Sequence, residues 1–167
     1  NLFFLDFSTT IMTTDLTFNE ERFVQTLTNL IGEAEFLQNN PPKFVPQEDR
    51  AVKHIRAVLD PLSTENGGKL KINHVAYTEG RGNLIVEYPG TSDKTVSFVG
   101  SHMDVVPANP ETWDRNPFEL TRDGDKLYGR GTTDCLGHVA MITDFLADLG
   151  TKKPDLKVGI IVVFIAN

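Results

Sequence analysis

Apolar residues recur at helical spacing in two stretches of the first third of the chain. Thr17 and Glu20 have the spacing of a capping box, so we expect the first helix to begin there. The apolar positions that follow are Phe23, Val24, Leu27, Leu30 and Ile31. Residues 47–59 repeat this periodicity and Pro61 follows them, which predicts a second helix that ends before the proline.

The pattern then changes from helical spacing to that of β-strands. Residues 71–77, 83–88 and 95–99 are rich in alternating or β-branched apolar positions and are separated by turn residues. These stretches predict three strands. Residues 158–166 are almost uniformly apolar, as in a central strand that is covered on both faces.

A third helix is predicted between the strand at 95–99 and the last strand. Its apolar positions reach Leu149, and Gly150 is the expected stop signal. A long irregular stretch, 103–125, precedes this helix, and connections of that length inside a compact domain are usually functional. Strands that alternate with helices predict an α/β fold, with a mixed, mostly parallel sheet flanked by helices.

Composition and charge narrow the function classes. The 167 residues carry a net charge of −7, which argues against a general nucleic-acid binder. No apolar run reaches the ~18 residues that a membrane span needs, so no membrane partner is expected. Cys135 is the only cysteine, which excludes an internal disulfide and fits a reducing, cytoplasmic location.

The first loop with candidate chemistry follows the strand at 95–99. His102 and Asp104 stand where that strand ends, and α/β proteins gather reactive side chains beyond the carboxyl ends of their strands. The imidazole can bind a divalent metal through one nitrogen while the carboxylate accepts the proton of the other, which fixes the tautomer. Taken alone, such a pair is more often a surface histidine beside a turn-capping aspartate.

The second loop with candidate chemistry, 129–138, leads into the third helix. Asp134 is a potential metal ligand, although a carboxylate at a helix start is also a common N-cap. Cys135 has no second cysteine to join it and is expected to be a small buried residue. His138 is expected to be a polar or packing residue of the helix rather than a ligand.

Four further residues have ordinary explanations. His54 and His74 lie in helical and strand patterns, and we expect them to be surface or core histidines. Trp113 and Phe118 lie in the long irregular stretch, and we expect them to hold it against the domain rather than to contact a substrate.

The order of these segments resembles a known family. Gly-Ser-His-Met-Asp-Val-Val-Pro at 100–107 precedes Trp113, then Asn-Pro-Phe at 116–118, then Asp-Gly-Asp-Lys-Leu-Tyr-Gly-Arg-Gly-Thr-Thr-Asp at 123–134. This set resembles the zinc aminoacylase and acetylornithine deacetylase family, which also includes succinyl-diaminopimelate desuccinylase, carboxypeptidase G and carnosinase-like dipeptidases. The resemblance extends from about residue 18 to the end of the chain.

Within that family the sequence most resembles the plant-type acetylornithine deacetylases. The segments that carry this narrower likeness are 38–42, 46–49, 72–77, 80–90 and 134–138. Many family members have lysine where this chain has Leu136, so bacterial relatives are a poor guide to its substrate.

The resemblance implies a role for each candidate. His102 would be a terminal ligand of one zinc ion, Asp104 its orienting partner in the active site, and Asp134 a carboxylate that bridges two zinc ions, for which cobalt can substitute. The implied reaction is hydrolysis of a small-molecule N-acyl amino acid, N2-acetyl-L-ornithine to L-ornithine and acetate in arginine biosynthesis. Another N-acyl amino acid or a dipeptide is the alternative substrate. The full-length protein is expected to be a homodimer.

The two ends of the chain are interpreted separately. Residues 1–11 are apolar but interrupted by Asp6 and lack basic residues, so we expect a non-native or upstream extension rather than a signal peptide. Residues 12–167 are expected to form the N-terminal part of the zinc hydrolase catalytic domain, without the general-base glutamate, the remaining ligands and the dimerisation domain. The second interpretation of the 167 residues alone is therefore a catalytically incomplete module.

Overall fold

The computed structural model describes residues 15–167, so the expected extension at 1–11 lies outside the described residues. The helices are α1 (Glu20–Gly32), α2 (Asp49–Leu59) and α3 (Leu136–Lys152). The strands are β1 (Lys71–Thr78), β2 (Arg81–Tyr88), β3 (Thr95–His102), β4 (Thr121–Asp123), β5 (Lys126–Tyr128) and β6 (Gly159–Ile165). All of the predicted helices and strands are therefore present.

Four strands form the main sheet in the order β1-β2-β6-β3. β2 pairs antiparallel with both β1 and β6, and β3 pairs parallel with β6. The predicted α/β class with a mixed sheet flanked by helices is confirmed, but only one of its three pairings is parallel. The two residues between β1 and β2 allow only a hairpin, whereas the connection from β3 to β6 includes α3 and is long enough for a parallel crossover.

The helices pack on one face of the main sheet. Leu84 and Val86 of β2 lie beside Phe164 and Val162 of β6 on that face, and all four are fully buried in one core with the helices. The alternate residues of β6 are only partly buried. The expectation that β6 is covered on both faces is therefore not met by residues 15–167, although β6 is central in the sheet.

α1 begins later than the capping-box pattern predicts. Asn19 is its N-cap and accepts a hydrogen bond from the backbone N–H of Arg22 at 2.9 Å. Thr17 lies before the helix, where its backbone N–H donates to Asp148 of α3 at 2.9 Å. The prediction was wrong because a carboxylate distant in sequence takes the hydrogen bonds of Thr17.

α3 continues past its predicted stop signal. Gly150 is inside the helix, which ends at Lys152 with Lys153 in the left-handed region (φ 51°). A Cβ on Gly150 would lie 3.0 Å from the Cβ of Leu62. Gly150 therefore permits close packing and does not end the helix.

The stretch 103–125, predicted to be irregular, is partly ordered by short elements. It contains a 3₁₀ turn at Pro110–Thr112, and its end forms a small hairpin in which β4 pairs with β5. No helix within residues 15–167 is both long and apolar enough to cross a membrane.

Candidate metal centre

β3 carries His102 to the carboxyl end of the sheet. The strand was predicted to end at residue 99, but it continues to His102, which is in register with Ile165 of β6. The next residue, Met103, is fully buried and donates its N–H to the carbonyl of Ile165 at 3.0 Å. The backbone of His102 is therefore held in place by the pairing of β3 with β6.

His102 and Asp104 form the predicted pair. Nδ1 of His102 lies 3.0 Å from Oδ1 of Asp104 and 3.1 Å from its backbone carbonyl oxygen. A carbonyl oxygen can only accept, so Nδ1 must carry the ring proton. Asp104 is nearly buried, with 9% of its side chain exposed, whereas 32% of the His102 side chain is exposed.

A tight turn before α3 presents Asp134. Gly131 has φ +96°, and a Cβ there would lie 2.8 Å from Leu136, so the turn requires glycine. The peptide bond between Asp134 and Cys135 is cis. Cys135 occupies the N-cap position of α3 without a side-chain cap, so the alternative in which Asp134 caps the helix is not realised.

His102 and Asp134 converge although they are 32 positions apart. Nε2 of His102 lies 2.8 Å from Oδ1 of Asp134. Since Nδ1 already carries a proton, a neutral ring would direct the Nε2 lone pair at a carboxylate, which is repulsive unless a proton or a cation lies between them. Burial alone would lower the pKa of His102, but hydrogen bonds to Asp134 and Asp104 outweigh burial and raise the pKa.

The geometry at this pair also fits a metal ion. Two ligand atoms of one tetrahedral zinc, each about 2.0–2.2 Å from the ion, lie roughly 3.4 Å apart. His102 and Asp134 would have to separate by roughly 0.6 Å from their 2.8 Å distance, which is a small movement for an aspartate side chain that is 75% exposed. Oδ2 of Asp134 accepts no hydrogen bond from residues 15–167 and stays available.

The thiol of Cys135 completes a group of three potential ligands whose nearest atoms lie within 4.8 Å of one another. The residue is buried, as expected, and its Sγ donates to the backbone carbonyl of His102 at 3.2 Å. Burial raises the pKa of the thiol to about 11 in the metal-free chain, so the thiol is protonated there and stays bonded to the backbone. In this state the side chains of the group that can bind a cation are one imidazole and one carboxylate.

The remaining histidines and aromatic residues lie outside this group. His54 contacts Glu33 at 3.2 Å, and His74 contacts Asp49 at 2.7 Å. His138 is partly buried in the first turn of α3. Among the aromatic residues of the long stretch, Phe118 packs against the core and the Trp113 ring lies 5.0 Å from the guanidinium of Arg130.

Asn39 is a member of the site that the sequence did not reveal. Its side-chain amide donates to Oδ2 of Asp104 at 2.9 Å. Asn39 and Asp104 are 65 positions apart, and Asn39 precedes a Pro-Pro break that predicts only a turn. Its sole signal was its place in the family-like segment 38–42.

Acetylornithine deacetylases from two eukaryotes are among the known proteins similar to this chain. The enzyme from Arabidopsis thaliana is 59% identical over 89% of this chain, and that from Dictyostelium discoideum is 54% identical over 89%. The chain spans about a third of the length of these relatives, 34% and 35% respectively.

Solved structures give the same fold. Human carnosine dipeptidase 1 matches 87% of this chain and 32% of its own, with a TM-score of 0.64 and 25% identity. An M20 family metallo-carboxypeptidase from Sulfolobus solfataricus matches 86% of this chain and 30% of its own, with a TM-score of 0.65 and 22% identity.

The family model described as "Peptidase family M20/M25/M40" matches residues 98–167, which include His102, Asp104 and Asp134. The resemblance found in the sequence, including the likeness to the plant-type acetylornithine deacetylases, is confirmed by these matches. Residues 98–167 of this chain therefore carry a domain of the peptidase family M20/M25/M40.

Proposed function

We propose that this protein takes part in the hydrolysis of N2-acetyl-L-ornithine to L-ornithine and acetate, a step of arginine biosynthesis in the cytoplasm. The observation that carries the choice of substrate is the 59% identity to the Arabidopsis acetylornithine deacetylase over 89% of this chain. The reaction is an amide hydrolysis, which is the chemistry that the site at the end of β3 suits best.

We assign three roles in this reaction to residues of the site. His102 would hold a zinc ion through Nε2, and Asp134 would hold zinc through its carboxylate. Asp104 accepts the Nδ1 proton of His102 at 3.0 Å, which keeps Nε2 free for the ion and raises its basicity. Zinc bound there would supply a Lewis acid for the amide carbonyl and would lower the pKa of water.

The 167 residues alone are expected to be inactive. Their described part offers two ligand side chains at this site, whereas catalytic zinc sites usually have three protein ligands for each ion. No carboxylate other than Asp104 and Asp134 approaches His102 within residues 15–167, so a general base is also lacking. We propose that the remaining residues of the full-length protein supply these groups, and that the full-length protein is a homodimer.

Activity measurements on two proteins test the proposal. We expect the full-length zinc-loaded protein to release acetate from N2-acetyl-L-ornithine, and the 167-residue chain to remain at background. His102→Ala should abolish turnover in the full-length protein, whereas His54→Ala, which changes a histidine outside the site, should not. Full activity of His102→Ala would remove His102 from the reaction.

A second candidate substrate class is other N-acyl amino acids or dipeptides. It is favoured by the structural match to human carnosine dipeptidase 1 at 25% identity. The same assay with N-acetylated amino acids other than ornithine, and with dipeptides, separates the two candidates. Preference for a dipeptide over N2-acetyl-L-ornithine would retain the amide hydrolysis and overturn the proposed substrate.

A further inference from the structure

The buried carboxylate of Asp104 needs hydrogen-bond donors for both of its oxygens. Only 9% of this side chain is exposed, and an ionised carboxylate without partners is unstable at such a depth. His102 donates to Oδ1 at 3.0 Å, which leaves Oδ2 to be satisfied by other groups.

Asn39 is the principal donor to Oδ2. The distance from its amide nitrogen is 2.9 Å, and because a carboxylate only accepts, the nitrogen rather than the oxygen of the amide must face it. The amide of Asn167 lies 3.5 Å from the same oxygen, at the limit of a hydrogen bond. Arg81 is near Asp104, but its guanidinium donates to buried Glu48 at 3.0 and 2.9 Å.

The backbone of Asn39 is held in place independently of its side chain. Its N–H donates to the carbonyl of Val105 at 2.9 Å, and the N–H of Val105 donates to the carbonyl of Leu37 at 2.8 Å. These two bonds join the segment before the Pro-Pro break to the residue that follows Asp104. A change of the Asn39 side chain should therefore leave this backbone pairing intact.

We propose that Asn39 is a positioning residue that acts through Asp104. By holding Oδ2, it fixes the plane of the carboxylate so that Oδ1 faces Nδ1 of His102. Without this donor the carboxylate can rotate about its last torsion, and the imidazole loses part of its orientation. The inference rests on the proposed function, because it assigns Asn39 to the support of a proposed zinc ligand.

Two variants of Asn39 show whether its side chain acts as a hydrogen-bond donor or only fills space. Asn39→Ala removes the side chain, and Asn39→Asp keeps its shape but replaces the donor with a second carboxylate. Asn40→Ala is the matched control, because Asn40 is adjacent, of the same type and exposed. In the full-length protein we expect zinc affinity to fall roughly threefold to tenfold for both Asn39 variants and to be unchanged for Asn40→Ala. Normal affinity of Asn39→Asp beside a weakened Asn39→Ala would indicate mere space filling and overturn the proposal.

A double-mutant cycle tests whether Asn39 acts through Asp104. In an Asp104→Ala background, or in Asp104→Leu if the alanine variant does not fold, Asn39→Ala should cause no further loss of zinc affinity. Additive losses would mean that Asn39 acts by another route and would contradict the proposal.

A metal-free measurement keeps this inference separate from the proposed function. In the zinc-free 167-residue chain, the NMR signal of the His102 Nδ1–H should show weaker hydrogen bonding in Asn39→Ala and Asn39→Asp than in the unchanged chain and in Asn40→Ala. An identical signal in all four proteins would overturn the inference. If the signal shifts but the full-length protein binds no zinc, the positioning role stands and the proposed function fails.

Discussion

Nε2 of His102, the last residue of β3, lies 2.8 Å from Oδ1 of Asp134 in the turn before α3, although the two residues are 32 positions apart in the chain. The contact depends on two separate features of the fold. β3 must continue to its last residue beside β6, and the turn before α3 must bring an exposed aspartate over the end of that strand. Either residue alone has an ordinary explanation, whereas the pair, with Asp104 behind it, fits a cation site.

The replacement Asp104→Asn should preserve the fold and reduce turnover. The two side chains have the same shape, but an amide cannot accept the Nδ1 proton of His102 as strongly as a carboxylate, so the ligand becomes less basic. We expect the full-length zinc-loaded protein to lose about 10- to 100-fold in rate. Acetate release and circular dichroism measure the two effects, and Asp93→Asn, at an exposed position, is the control. Wild-type turnover by Asp104→Asn would exclude Asp104 from the reaction.

The contact between His74 and Gly82 predicts a stability effect away from the site. A Cβ on Gly82 would lie 1.9 Å from Nε2 of His74, and that nitrogen is 2.7 Å from Asp49. Gly82→Ala should therefore displace the ring, break its contact with Asp49 and lower the free energy of unfolding by about 1–3 kcal/mol. Urea denaturation measures the change.

Gly32→Ala is the matched control for this effect, because a Cβ there would meet nothing within 4 Å. Its free energy of unfolding should stay at or slightly above that of the unchanged chain. Equal stability of Gly82→Ala and the unchanged chain would mean that His74 can leave its position without loss.

The environment of Asp148 predicts how the free energy of unfolding depends on pH. Burial raises its pKa, but the backbone N–H of Thr17 and the ammonium of Lys152 outweigh burial and hold the pKa below the usual value. Stability from this carboxylate is therefore fully present above its unfolded-state pKa of about 4 and is lost as the pH falls through the lower, folded-state pKa. Asp148→Asn should cost about 1–2 kcal/mol at neutral pH.

Urea denaturation at several pH values between about 7 and 3 measures this difference. The unfolding free energies of Asp148→Asn and the unchanged chain should converge toward the acid end, whereas Asp93→Asn should run parallel to the unchanged chain. If the free energies of unfolding of Asp148→Asn and the unchanged chain differ by the same amount at every pH, the charge of Asp148 does not contribute to stability.

The thiol of Cys135 should react slowly in the native chain. It is 7% exposed, and its pKa of about 11 leaves roughly a hundredfold less thiolate near pH 8 than an ordinary cysteine has. Iodoacetamide labelling, followed by mass spectrometry, should therefore be at least about 100-fold slower in the native metal-free chain than in urea. Equal rates would point to an exposed thiolate and would return Cys135 to the set of potential ligands.

The sequence predicted the elements better than their ends, for physical reasons. Apolar periodicity located the three α-helices and the four strands of the main sheet because it records which face of each element is buried, whereas the short strands β4 and β5 were not predicted. Thr17 and Gly150 were misinterpreted because their partners, Asp148 and Leu62, are distant in the chain. Local patterns carry no information about such partners.

The residues of the candidate site also fall into those that the sequence predicted and one that it did not. His102, Asp104 and Asp134 were found through an ordered, family-like set of segments, and the fold brings all three together. Asn39 was missed because an asparagine before two prolines is locally explained by a turn. Its 2.9 Å contact with Asp104 links it to the site, whereas the adjacent Asn40 is exposed.

β3, which carries His102, is an edge strand of the described sheet and is exposed along residues 95–100. Val96, Phe98 and Val99 lie on this stretch and are 50%, 37% and 67% exposed. An uncovered apolar edge favours edge-to-edge association of copies, which the net charge of −7 opposes only while salt is low. Light scattering of the 167-residue chain should therefore rise with protein and salt concentration, and Val99→Lys should suppress the aggregation without touching the ligands.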